Sequence, residues 1–355
     1  MMEIETWGIR KKDLNLAGCE KPYIPGRVTA QERERYRVIT EQGESLARVS
    51  GKYRYDAINR SDFPAVGDFV LMDPHMEDGV SVIYKLLPRK SAFIRRAAGT
   101  GREEQVVAAN IDTVFVCMSV NRDFNVRRLE RYLAVAWDSG ADPVVLLTKV
   151  DLCENMDRIR SEVSEIAIGV PVLETSSLLE QGITELGSYL NPGKTVAFIG
   201  SSGVGKSTLI NKLLGEDILR TNSLRDDDRG RHTTTHRELF LLPGRGLVID
   251  TPGMRELGMW DDTDGIDRTF ADIDELARKC RFTDCTHTKE PGCAVQKALK
   301  EGTLSMERMS AYLKLKVENA YMEDAKSYLH VKKKKFKEIA KYNKSNFRKR
   351  NNGFL

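Results

Sequence analysis

Residues 200–208 read Gly200-Ser201-Ser202-Gly203-Val204-Gly205-Lys206-Ser207-Thr208, the G-x-x-x-x-G-K-[ST] spacing that cradles a phosphate. Its glycines allow backbone N–H groups to converge on a β-phosphate, and the helix that follows adds the positive end of its dipole. Lys206 would neutralise charge on the β- and γ-phosphates, and the Ser207 hydroxyl would ligate Mg²⁺. The loop alone does not name the base. That choice needs a carboxylate facing the N1–H and exocyclic amino group of guanine. Thr148-Lys149-Val150-Asp151 supplies it at Asp151, with the aliphatic stem of Lys149 covering one face of the ring. Adenine has an acceptor at N1 and no amino group at C2, so a buried carboxylate would stay unpaired there at a cost of about 1–3 kcal/mol. Asn usually opens this motif. Thr148 in its place predicts a weaker hold on guanine, through loss of an amide that braces the loop, with selectivity kept at Asp151.

Three further stretches complete the set. Asp250-Thr251-Pro252-Gly253 follows an apolar run, so Asp250 would hold Mg²⁺ through water and the Gly253 N–H would meet the γ-phosphate. Between it and the phosphate loop lies Arg229-Gly230-Arg231-His232-Thr233-Thr234-Thr235, whose polarity and length suit a switch loop donating a threonine to Mg²⁺ and γ-phosphate; Thr234 is assigned that contact. Thr175-Ser176-Ser177 admits two readings: its backbone at Ser176 and Ser177 meets guanine O6, or it caps a helix over 182–186. Separately, Cys280, Cys285, His287 and Cys293 offer three thiolates and one imidazole within fourteen residues. That is a closed tetrahedral set for one structural Zn²⁺, with no position left for a reacting water.

Elements that could position these groups are visible in the hydropathy pattern. Apolar runs at 111–120, 143–147, 172–173, 195–199 and 246–249 alternate with helical spacing at 126–138 and from 206 onward, which predicts a mostly parallel sheet covered on both faces. Before them, short β-branched and aromatic runs at 36–40, 46–50, 68–72 and 80–86 are separated by Gly43, Gly51, Pro64, Gly67 and Gly79, the pattern of a small all-β barrel. Arg35, Arg37, Arg95 and Arg96 on or near it are compatible with nucleic-acid binding. Helical spacing dominates from about 265, interrupted by the cysteine cluster.

Composition bounds the rest. With 355 residues, 41% hydrophobic and 30% charged, the chain is long enough for two or three domains and is neither fibrous nor wholly disordered. No apolar stretch is long enough to cross a membrane and the N-terminus lacks a secretory pattern, so a cytoplasmic protein without a membrane partner is expected. The net charge of +4 conceals a basic end: residues 331–355 hold ten Lys or Arg against Glu338, a local +9 that leaves −5 for the remainder. Phe336, Tyr342 and Phe347 lie among those charges, a mixture suited to RNA phosphates and bases, or to a solubilising tail.

The order of the motifs is unusual. GTPases ordinarily run phosphate loop, switch threonine, DxxG, base reader and serine element, and here the last two come first. A doubly wound sheet cut at a surface loop and rejoined elsewhere keeps the same site. A small β-barrel, a permuted GTPase with GSSGVGKST, GRHTTT and DTPG, and then CRFTDCTHTKEPGC resembles the RsgA family of small-ribosomal-subunit-dependent bacterial GTPases over residues 20–325. The resemblance implies an OB-fold barrel (1–103), a circularly permuted α/β P-loop GTPase domain (104–264), a small, mostly helical zinc-binding domain (265–330) and a basic tail (331–355). It also implies GTP and GDP as ligands, Mg²⁺ and one Zn²⁺, a role in late 30S maturation on 16S rRNA, and hydrolysis stimulated by that subunit. A monomer is expected. Met254 stands where Ras-like enzymes carry the water-orienting glutamine, and a thioether cannot replace it. His232, beside the switch threonines, is the best candidate for that task, and the resemblance points to the same residue. An ATP-dependent small-molecule kinase on the same loop is disfavoured by Thr148–Asp151; an RNA-binding module whose nucleotide only sets conformation is the third reading.

Overall fold

Five strands near the N-terminus pair in a closed circuit. They are β1 (Ile24–Glu32), β2 (Arg35–Thr40), β3 (Gly43–Val49), β4 (Phe69–Glu77) and β5 (Val80–Leu86). The hydrogen-bonded order β1-β2-β3-β5-β4 returns from β4 to β1, and the β3–β5 pair is parallel while the others are antiparallel. A computed structural model of the chain describes residues 4–9, 23–77, 79–96, 104–179, 181–216, 237–250 and 264–319. Alternating side chains Val28, Val38, Ala47, Val70, Met72 and Ile83 fill the barrel. The sequence pattern had omitted β1 because Pro25 and Gly26 interrupt it. Gly26 is there for space, since a Cβ would lie 2.4 Å from Val38 Cγ1. One short helix, α1 (Gly51–Asp56), follows β3 and is capped by the Ser50 side chain.

Two strands, β6 (Ala92–Arg96) and β7 (Glu104–Ala109), form an antiparallel pair leading into the second unit. There β8 (Thr113–Ser119), α2 (Val126–Asp138), β9 (Asp142–Thr148), α3 (Met156–Ser164), β10 (Val172–Thr175), α4 (Ile183–Gly187), β11 (Thr195–Gly200), α5 (Lys206–Leu214), β12 (Glu238–Leu241) and β13 (Leu247–Asp250) succeed one another. The sheet order here is β10-β9-β8-β11-β13-β12, parallel except for β12, which is antiparallel to β13. This is the doubly wound arrangement expected from the buried apolar runs. Phe115, Leu146, Phe198 and Leu209 pack on one face.

The opposite face shows why the third unit needs its neighbours. Its helices α6 (Asp264–Thr269), α7 (Ala271–Ala277) and α8 (Ala294–Glu301), with helical residues 306–319, contribute Phe270, Ile273, Val295, Met309 and Tyr312 to the same apolar cluster as Leu129 and Leu133 of α2. Arg308 closes that contact, joining Glu130 of α2 to Asp272 of α7.

The barrel is also tied to the sheet. Arg27, 1% exposed, donates to the carbonyls of Gly67, Trp7 and Asn110 and to the Thr195 hydroxyl at the start of β11. Burial lowers its pKa to about 10 against the opposing pull of Asp112 and Asp68. Ala30 of β1 bridges Glu238 of β12, and Arg37 pairs with the Glu238 carboxylate at 2.8 Å. Arg37 is thus an interdomain ion-pair partner. Among the described residues no helix is long and apolar enough to cross a membrane.

Candidate nucleotide site and metal centre

The sheet changes direction between β8 and β11: β9 and β10 extend one way from β8, β13 and β12 the other from β11. Ligands of open α/β sheets sit at such a point, outside the carboxyl ends of the strands. Gly200 ends β11 there, in register with Cys117 of β8. It must be glycine, because its φ is 145° and a Cβ would approach the Cys117 carbonyl to 2.4 Å. Ser202 and Gly203 are exposed, Val204 is buried, and Gly205 at φ 104° turns the chain into α5, which starts at Lys206. Ser207 and Thr208 lie half-buried in its first turn. Lys206 Nζ donates to the carbonyls of Gly200 at 2.7 Å and Ser201 at 2.6 Å, spanning the loop. The Cys117 thiol beneath it is pushed up to about 12 by burial, against the charge of Lys206, so it is not a nucleophile.

Thr148 ends β9, 3% exposed, and its hydroxyl donates to the Val204 carbonyl at 2.7 Å. The amide of the usual Asn is absent, as the sequence says, but the Thr148 hydroxyl still ties this segment to the loop that carries Val204. Lys149 then adopts a left-handed conformation, φ 59°, and the short helical turn Val150–Leu152 carries Asp151 past the end of the sheet. Asp151 is exposed, not buried as anticipated, because it lies beyond the strand ends. The hydroxyl of buried Ser176 donates to Asp151 Oδ1 and accepts from the Leu179 N–H. Thr175 pairs with Thr148 across β9 and β10, which is how sequence-distant Ser176 comes beside Asp151, with Ser177 next in the chain. The capping alternative is not what forms: α4 begins after Gly182, without a side-chain cap.

Asp250 ends β13, half-buried and opposite Glu238. Gly253, His232, Thr234, Met254 and the tail 331–355 lie outside the described residues, as do Thr233, Thr235, Thr251 and Pro252. Pattern reading missed Arg128, whose Nη1 donates to the Ser201 hydroxyl at 2.8 Å; no motif marks it.

The second centre is compact. Ligand atoms of Cys280, Cys285, His287 and Cys293 all lie within 4.8 Å of one another. Cys280 Sγ and Cys293 Sγ are 3.8 Å apart, and each is 3.6 Å from His287 Nδ1. A tetrahedral Zn²⁺ with its usual bond lengths requires S···S near about 3.8 Å and S···N near about 3.6 Å. The donor set fits. His287 holds φ at 60°, and the Gln296 side chain donates to its carbonyl. Glu290 gathers the N–H groups of Thr286, Thr288 and Lys289 and the Thr286 hydroxyl, which lowers its pKa to about 2, the hydroxyl contributing most. A chain this short and polar is then shaped by its ligands and by Glu290.

Residues 86–260 match the family model described as RsgA GTPase, and residues 195–344 match one described as 50S ribosome-binding GTPase. A curated relative from Lactiplantibacillus plantarum, small ribosomal subunit biogenesis GTPase RsgA 2, is 51% identical over 303 residues, 85% of each chain. Another from Oceanobacillus iheyensis, small ribosomal subunit biogenesis GTPase RsgA 1, is 44% identical over 340 residues, 95% of this chain and 96% of its own. Among solved structures, YjeQ from Thermotoga maritima superposes with a TM-score of 0.63 at 29% identity, covering 82% of this chain and 97% of that one. YloQ, described as a circularly permuted GTPase, gives 0.60 at 26%, covering 85% and 96%.

Proposed function

This chain belongs to the RsgA GTPase family and is a GTP hydrolase, and from that premise we propose that it assists late maturation of the small (30S) ribosomal subunit. It binds that particle through 16S rRNA, and binding stimulates hydrolysis of GTP to GDP and phosphate. One observation carries the reading of the site: the 2.7 Å bond from Thr148 to Val204 joins the base-reading segment to the phosphate loop although the two stand in permuted order. The family description naming the 50S particle covers 195–344 alone. The relatives named for the small subunit cover 85% and 95% of the chain, which favours the smaller particle.

In this reading Gly200–Thr208 hold the phosphates, and Thr148, Lys149, Val150, Asp151, Ser176 and Ser177 hold guanine. Ser207, Thr234 and Asp250 would hold Mg²⁺, which supplies charge neutralisation at the phosphates. Lys206 stabilises the same charge, Gly253 meets the γ-phosphate, and His232 orients the attacking water in place of Met254. Zn²⁺ at Cys280, Cys285, His287 and Cys293 is structural. The units 1–103, 104–264 and 265–330 act as one cytoplasmic monomer, with 331–355 reaching rRNA. GTP turnover measured with and without 30S subunits tests this. Stimulation is expected in the wild type and its loss in His232→Ala; equal turnover of the two proteins with 30S present would remove His232 from the mechanism, and calorimetry showing no preference for GTP over ATP would remove the guanine site.

A further inference from the structure

We propose that Arg128 is a positioning residue for the phosphate loop, acting through Ser201 from across the β8–β11 crevice. The crevice has two lips. One is the phosphate loop leaving β11; the other is the connection from β8 into α2, and Arg128 lies in the first turn of that helix.

Its placement runs against local preference. Arg127 and Arg128 both occupy the first turn of α2, which carries no acidic residue, although cations at a helix N-terminus oppose the macrodipole. Arg127 is accounted for by Glu130, which it meets at 2.7 Å. Arg128 Nη1 meets Asp123 at 3.1 Å, and the same nitrogen crosses the crevice to the Ser201 hydroxyl at 2.8 Å. A residue that breaks a local rule while reaching into a ligand cleft is where function is expected to override propensity.

Ser201 is consequently held from two sides. Its carbonyl accepts from Lys206 Nζ on α5, and its hydroxyl accepts from Arg128 on α2. The first half of the loop is thereby fixed relative to both helices that flank the crevice. The backbone N–H groups of that half serve GTP and GDP alike, so loosening it weakens ground state and transition state together: KM rises and kcat stays near its value. The inference rests on residues 200–208 being the GTP site.

Fluorescent GDP release and GTP turnover in Arg128→Ala, Arg128→Lys, Ser201→Ala and the double variant Arg128→Ala/Ser201→Ala test it, with Lys206→Ala as the control for the site itself. One lost charged hydrogen bond predicts about three- to tenfold faster GDP release and a matching rise in KM in either single alanine variant. The double variant should be no worse than the singles, and Arg128→Lys should recover part of the loss. Unchanged release in Arg128→Ala, additive effects in the double variant, or a fall in kcat at constant KM would each overturn the role of Arg128 while Lys206→Ala still abolishes binding. Retained GTP binding in Lys206→Ala would instead overturn the site, and this inference with it.

Discussion

Replacing Arg308 by alanine is expected to destabilise the fold by about 3 kcal/mol, near the lower end of the range for breaking a buried ion pair. Arg308 is 6% exposed, and every nitrogen of its guanidinium is engaged. Nη1 meets Glu130 Oε1 at 2.9 Å, Nη2 meets Asp272 Oδ1 at 2.6 Å and the Thr269 carbonyl at 3.0 Å, Nε meets Asp272 Oδ2 at 2.7 Å, and the guanidinium lies 4.8 Å from the Phe270 ring centroid. Burial alone would lower its pKa, but the hydrogen bonds and charges of Asp272 and Glu130 prevail and raise it. Truncation would leave Glu130, 0% exposed, facing the exposed Arg127. Asp272 is partly open to water and can be rehydrated. Most of the cost therefore belongs to one carboxylate, so Glu130→Gln should reduce the cost of the second mutation by about 1–2 kcal/mol in a double-mutant cycle. Urea unfolding followed by tryptophan fluorescence, with zinc held constant, measures all four proteins. A loss below about 1 kcal/mol for Arg308→Ala, or strict additivity with Glu130→Gln, would refute the claim that this network clamps the C-terminal unit onto α2.

Other outcomes follow from single contacts. Thr148→Val keeps the shape and removes the donor to Val204, so affinity for GTP and for GDP should each fall about three- to tenfold by titration calorimetry, with guanine still preferred over adenine. Cys293→Ala removes one of the four candidate zinc ligands and also the sulfur that accepts the Gln296 N–H at the start of α8; metal analysis should find about one equivalent of zinc lost, and circular dichroism a loss of helix. Burial pushes the Tyr36 hydroxyl from 10.0 up to about 12. The unfolded chain ionises first, so this stabilisation is whole below pH 10 and disappears as pH rises through about 12. Alkaline unfolding of the barrel in that window should become shallower in Tyr36→Phe.

Much of the molecule could be read from residue order because its signals are local. A glycine spacing, a run of β-branched residues or three thiols beside an imidazole each report on a few consecutive positions. Thus α2 was legible at its full length, and β11 and α5 to within a residue or two, from periodicity alone. The phosphate loop was legible through its glycines, and the zinc set through spacing whose observed distances fit one tetrahedral ion. β1 was not legible, since Pro25 and Gly26 contradict strand propensity and only the closing pair with β4 explains them.

The remaining decisions belong to tertiary contact, where the partners are far apart in the chain and carry no shared pattern. Thr148 looked like a defect until its hydroxyl met a carbonyl 56 residues away. Asp151 looked buried until the strand ended one turn before it. Arg27, Arg128 and Arg308 are ordinary charges in the sequence; what makes each of them matter is the carbonyl, hydroxyl or carboxylate that folding delivers to it. Residue order determined which chemistries the chain can perform, because those depend on functional groups and short spacings. Packing decided which distant groups share one place, because a directional bond has meaning only after both partners have arrived.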